Sequence, residues 1–489
     1  MGEPVALIGG YYEAKSIIAA AQACVNLYPE ANPKSAQSPF PYTNYLTPGL
    51  TLLVSTIYAT VRCVYRTSNG LLYAVVGSNV YYVGQDYSLT LVGIIGSGSN
   101  SVYMADNGLA AVIVDGTPNG YAIDLLTNNF GQISSVNFYG ADRIGYLDTY
   151  FLFNRPGTAQ MYISLSEVDY SMLVGGTAFD ALDIAAKTGY PDAIAGIVVM
   201  HREAWLIGTL TAEIWYNSGA PDFTFEAMPG AFIEHGCAAP YSIAQQDLNV
   251  YWLSQDEEGQ TIVLLGNSYR VERISTNALE NEISKYTNIS DAIGYCYQEE
   301  GHAFYVLTFP NANATWVFDQ SVKLWHQRAW TDPNGGLNRH RSNCATNAYG
   351  VNIVGDWENG NLYALDVTNF TDNGQPISRI RSFPHLVKGS RRIVHKSFIA
   401  DMDVGEDDGS IDGSTPFNPP VVSLRWSDDK GKSFGNRLEQ SLGAGGQYQT
   451  NIKYNRLGMA RDRIYELSWS CPCGTALNGA YLETELCET

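Results

Sequence analysis

The sequence predicts an all-β chain. A β-propeller of six or seven blades is followed by a small antiparallel sandwich or barrel and preceded by an extended N-terminal arm. Three observations carry this. Of 489 residues, 45% are apolar and only 16% charged, with 47 glycines and 33 tyrosines. Aromatic and β-branched residues suit a pleated, half-buried surface and glycine suits tight turns, whereas long charged helices and coiled coils need far more charge. Short apolar or alternating runs separated by Gly, Asn or Asp recur along the chain. These runs group into hairpins with a period of roughly 40–55 residues, the spacing of propeller blades.

In chain order, residues 1–55 form the first unit. Glu13 to Leu27 carries Ile17, Ile18, Ala21 and Cys24 on one helical face, which predicts a helix. Pro29, Pro33, Pro39, Pro41 and Pro48 then mark an extended arm, anchored by Tyr28, Phe40, Tyr42 and Tyr45. Proline withholds a ladder donor, so this arm belongs against the C-terminal region and not inside a blade. Residues 56–390 hold the blades: Leu71–Gly84, Leu109–Gly116, Asp148–Asn154, Ala204–Gly219, Asn249–Ser275, His302–Arg328 and Gly350–Asp366 are the clearest hairpin runs. No WD dipeptide or Kelch double glycine recurs, and the same periodicity fits a long β-helix or two stacked sandwiches. Residues 391–489 open on an alternating strand, pass through the acidic loop Glu406–Pro420, and supply further strands at Val421–Gly435 and Arg461–Pro472.

The net charge of −20 excludes a basic, sequence-reading DNA surface and is unfavourable for an anionic membrane. Residues 1–337 hold 13 basic and 31 acidic side chains, against 16 and 18 in 338–489. No run of 18 apolar residues exists, so no membrane span is expected. The N-terminal residues lack the basic region of a secretory signal, so the eight cysteines are expected as reduced thiols. Cys471-Pro-Cys473 is the one close pair; even with Cys487 it lacks ligands for a structural metal, and neither metal nor cofactor is expected.

Catalytic constellations are missing: the chain has no H-E-x-x-H, P-loop or G-x-S-x-G motif. His235 and His326 sit in strand-like runs, where a core imidazole is the expected role. Asp256-Glu257-Glu258 and Glu299-Glu300 could supply the acid pair of a propeller glycosidase. Each precedes a glycine, though, and reads as a solvated hairpin tip. Ser427-Asp428-Asp429-Lys430-Gly431-Lys432-Ser433-Phe434 resembles the Asp-box turn of sialidase-type propellers and is read as structural. No enzyme activity is expected. Arg379, Arg381, Lys388, Arg391, Arg392 and Lys396 form a basic stretch with no acidic residue, and six carboxylates, including Asp403, Asp407 and Asp408, follow within Asp401–Asp412. This pattern predicts a charge-complementary contact between regions or subunits.

Four segments then resemble, in order, the packaged-DNA-stabilisation proteins of short-tailed bacteriophages, also called tail-hub or nozzle proteins. They are Ala6–Glu30, Ile233–Gly259, Tyr269–Thr276 and the terminal pair WSDDKGKSFG and RLGMARDRIYELSWS. The resemblance implies a virion structural protein carrying a propeller and assembled in the host cytoplasm as a hexamer below the head-to-tail adaptor ring. It would extend the DNA exit channel, hold packaged DNA, and later pass it without sequence-specific contact. Tail needle, spike or fibre proteins would be its other neighbours. A propeller glycan hydrolase and a host-receptor-binding tail protein are the competing readings.

Overall fold

The computed structural model describes residues 2–33, 38–256, 259–406 and 420–487. It is 50% strand and 3% helix, so the chain is all-β. Five four-stranded antiparallel sheets at 61–94, 103–132, 144–186, 194–233 and 244–273, then four antiparallel strands of a larger sheet at 293–327, follow one another along contiguous chain, here blades 1 to 6. A seventh takes three strands from Ser342–Ala348, Val351–Asp356 and Asn361–Asp366, and its fourth from Gly49–Ser55. The expectation of six or seven blades holds.

The strand interiors explain the composition. Leu72–Val76 in blade 1 and Ala110–Val114 in blade 2 are buried at every position, because each blade packs a neighbour on both faces. Separate apolar cores fill the gaps between successive blades. Tyr73 and Val75 meet Ile113 and Ile123 between blades 1 and 2. Phe304 and Val306 meet Val354 and Leu365 between blades 6 and 7. Val61, Leu72 and Val76 meet Ile353 and Leu362 between blades 7 and 1, closing the ring. Outer strands are more exposed, as at Leu89–Ile94. There Gly93 leaves the space that the Phe130 ring of blade 2 occupies; any side chain would collide with it.

The N-terminal residues depart from expectation in two ways. No helix forms over 13–27. Tyr12–Glu13 pairs Ala21–Gln22, and Cys24–Val25 lies between Leu324–Gln327 of blade 6 and Arg379–Ser382. A lone helix of this length is marginal in water, so ladder bonds and core burial of Cys24 and Leu27 prevail. Second, the arm does not end against the C-terminal strands: Gly49–Ser55, the proline-free run after Pro48, is the closing strand of a blade. The remainder does pair C-terminally. Glu3–Ala6 and Tyr42–Leu46 flank Leu477–Leu486, and Leu27–Ala31, which contains Pro29, is the sheet edge.

Through Cys24–Val25, blade 6 continues into a ten-stranded sheet that includes Asp462–Trp469, Val421–Ser427 and Leu438–Ser441. It packs against the seven-stranded sheet around Ile393–Met402 and Leu477–Leu486, with Phe398 and Tyr465 ring centroids 4.8 Å apart. The Asp-box is a turn at the end of one of these strands. Asp429 accepts bonds from the Ser433 backbone (2.9 Å) and hydroxyl (2.6 Å), and Gly431 takes φ 90°. Those bonds hold the Asp429 carboxyl well below the usual carboxylate range.

Candidate functional site

The basic stretch divides by burial. Arg379 and Arg381 are fully buried in the strand Arg379–Ser382, which joins the N-terminal arm to Asp462–Trp469. Arg381 donates to Asn44 Oδ1 (3.1 Å) and to the carbonyls of Ala23 (3.1 Å), Gly9 (2.6 Å) and Gly10 (3.4 Å). Arg379 donates to the carbonyls of Cys471 (3.0 Å), Phe370 (3.2 Å) and Ile377 (3.4 Å). Burial pulls both guanidinium groups below their ordinary pKa range. They satisfy backbone groups that no ladder reaches.

The exposed half of the stretch behaves differently. Lys388 pairs Glu3 (2.8 Å) and Lys396 pairs Glu485 (2.7 Å) on the surface. Arg391 and Arg392 are exposed and have no ion-pair partner among the described residues. Neighbouring strands present Glu3 and Glu485 to these lysines, and Asp403, from the acidic loop, is exposed beside Asp401 and Glu406. Asp407 and Asp408 lie outside the described residues.

The two carboxylates of the Glu299-Glu300 pair take different partners. Glu299 accepts from Asn352 (2.8 Å), while Glu300, at φ 48° in a hairpin turn, accepts from Tyr28 (3.3 Å). Glu257 and Glu258 lie outside the described residues. His326 is fully buried, and burial beside Arg328 lowers its pKa to about 3, so it is a neutral core ring. His235 is only half-buried, since it follows the end of the strand Phe225–Ile233. Among the described residues, no three His, Cys, Asp or Glu side chains converge on one point. The Cys471 and Cys473 sulfurs lie 2.9 Å apart. No helix of the described residues is long and apolar enough to cross a membrane.

Sequence reasoning missed a second group of arginines, near the starts of the blades' first strands. Arg62 donates to the carbonyls of Gly77 and Ser97, each 2.8 Å, tying blade 1 to the loop entering blade 2. Arg143, stacked 3.6 Å over the Tyr103 ring, reaches the Pro240 (2.6 Å) and Ile243 (3.1 Å) carbonyls before blade 5. Arg339 lies 3.8 Å over Trp357, and Arg341 forks onto Asp356 at 2.8 and 2.9 Å. Each stands just before or at the start of a blade's first strand. That recurring position is the sequence signal that would have found them. Their work is to clamp the connections that no ladder holds.

Comparison with known proteins fits this all-β ring. No curated protein matches the sequence. Solved structures that align to it include the extracellular domain of a one-component system of B. thetaiotaomicron. That match has 7% identity and a TM-score of 0.43, over 64% of this chain and 40% of that one. U3-55K aligns at 8% identity and a TM-score of 0.40, over 65% of this chain and 99% of that one. The WD40 repeats of RRP9 align at 7% and 0.40, over 66% and 99%. A family model described as "Bacteriophage P22 Gp10, beta-propeller" matches residues 4–370, from the N-terminal arm through the closing blade. The chain therefore belongs to this phage packaged-DNA-stabilisation family of β-propeller structural proteins.

Proposed function

We propose that the chain is a tail hub, or nozzle, of a short-tailed phage. Six copies form a ring below the head-to-tail adaptor, extend the DNA exit channel, retain the packaged genome, and let it pass at ejection. The observation that carries this reading is family membership across residues 4–370. The net charge of −20 supports it, since each Lys or Arg paired to phosphate would add affinity to a genome that must slide. In this reading residues 56–390 are the propeller and 391–489, with the N-terminal arm, the assembly platform. Tail needle, spike or fibre proteins are its distal neighbours, and assembly precedes host lysis.

Arg391 and Arg392, exposed and unpaired among the described residues, are the part of the basic stretch left to meet another subunit. Reversing both to Glu is expected to block incorporation into tails, scored by particle composition, while the isolated chain keeps its melting temperature. Particles that still acquire the doubly reversed chain would remove these residues from the interface.

A further inference from the structure

We propose that a pocket beside the N-terminal arm binds a primary alkylammonium group, either a lysine side chain of an apposed protein or a free diamine. The site goes beyond the tail-hub reading and does not depend on it. Its volume is about 240 Å³, enough for one aminobutyl group, and its walls come from three separate parts of the chain. The arm gives Tyr11 and Glu13, the segment after blade 5 gives Glu282 and Tyr286, and blade 6 gives Trp316 and Gln327.

Three aromatic rings face this space. The Tyr11 and Trp316 ring centroids are 4.5 Å apart at 55°, and the Trp316 indole donates to the Tyr286 hydroxyl at 3.0 Å. Tyr11 is only 6% exposed, and its hydroxyl, which lines the pocket, makes no hydrogen bond among the described residues. A hydroxyl that no protein group occupies can accept from a donor that enters the pocket.

The charges select the ligand. Burial and then Glu282 raise the Glu13 pKa; more weakly, Lys285 lowers it and Glu466 raises it. Lys285 is committed to Glu282 at 2.5 Å, and Glu466 to Arg425 at 2.5 Å. Glu13 is left without a counter-ion among the described residues. An ammonium answers all of these features, since its three N–H groups can reach carboxylate and hydroxyl oxygens while its charge lies against aromatic faces. A hard divalent cation would need six or more oxygens, which rings cannot replace.

The test uses the full chain with ¹⁵N-labelled tryptophan, following the Trp316 indole resonance, assigned with Trp316→Phe. The probes are Nα-acetyl-lysine N-methylamide, 1,4-diaminobutane and the norleucine analogue, which keeps the butyl chain without the charge. A saturable shift with an amine and none with norleucine is expected. Tighter binding of the lysine derivative identifies a protein ligand, and tighter binding of the diamine a free polyamine. Glu13→Gln with Glu282→Gln is expected to weaken binding at least about tenfold, in line with loss of charge-assisted bonds. Tyr11→Phe, which keeps the ring and should fold, is expected to weaken it about threefold through the hydroxyl alone. No saturable shift with either amine, or an equal shift with norleucine or in the doubly substituted chain, overturns the proposal.

Discussion

Removing residues 2–55 is expected to abolish cooperative folding of the remaining chain. The deletion takes away the fourth strand of blade 7 and leaves the edge of Asn361–Asp366 bare, so the ring can open where it closes on itself. It also removes the middle strand that links blade 6 to Arg379–Ser382. Buried side chains lost include Leu7, Tyr11, Cys24, Leu27, Tyr28, Phe40 and Leu50. At about 1.5–3 kcal/mol for each large apolar side chain buried, the loss is on the order of the whole stability of a typical domain. Near-ultraviolet circular dichroism and dye binding report it directly. The shortened chain should lose its aromatic signal, expose apolar surface and aggregate. A truncated chain that melts sharply at the full-length temperature would show that the seam is dispensable.

Asp372→Asn is expected to stabilise the protein at pH 8 and to destabilise it near pH 4. Asp372 sits at the same seam: it pairs with Leu50 of the closing strand, is 3% exposed, and its Oδ1 has no hydrogen-bond partner among the described residues. Burial raises its pKa to about 7, although Arg328, Arg379 and Arg341 each pull the other way. Those arginines are engaged elsewhere. Arg328 donates to the Pro48 carbonyl, Arg379 to three carbonyls, and Arg341 to Asp356 and Glu358. Between the unfolded pKa and the folded one, the native state binds the extra proton, so stability falls as pH rises across that window. A tenfold difference in proton affinity between the two states corresponds to about 1.4 kcal/mol. Asparagine removes the ionisation but leaves its own amide to satisfy, so a net gain of about 2 kcal/mol at pH 8 is expected. Melting temperatures of both proteins from pH 4 to 8 decide it. The curves should cross, with the variant lower near pH 4, where only the cost of the amide remains, and higher at pH 8. A variant less stable at pH 8 would mean that the carboxylate is held ionised by its arginines.

Local signals were legible in the sequence and non-local ones were not. The Asp-box turn follows from residues within a few positions of Asp429, and the hairpins from Leu71–Gly84 or His302–Arg328 follow from alternation and turn glycines. The closing of blade 7 depends on pairing Gly49–Ser55 with residues about three hundred positions away, which no local pattern encodes. The same distance explains the mistaken helix: Ile17, Ile18, Ala21 and Cys24 have helical spacing, but the strands flanking Cys24–Val25 arrive from blade 6 and from Arg379–Ser382. The basic stretch shows a third case. Its letters place Arg381 and Arg391 in one run, while tertiary packing buries the first under four oxygens and leaves the second in solvent. Charge alone does not report burial. The arginines near the starts of the blades escaped for the same reason: Arg62 lies inside the strand Val61–Arg66, and nothing in its neighbouring letters reports the carbonyls it reaches.

The central claim is that this propeller is a structural part of a phage tail through which DNA leaves. Electron microscopy of particles assembled with and without the chain tests it most directly. The account predicts a sixfold ring of density below the head-to-tail adaptor when the chain is present. Without it, that ring should be missing and filled heads should lose their DNA. Particles that lack the chain yet keep both the ring and the packaged genome, or density for the chain anywhere but on the tail axis, would contradict it.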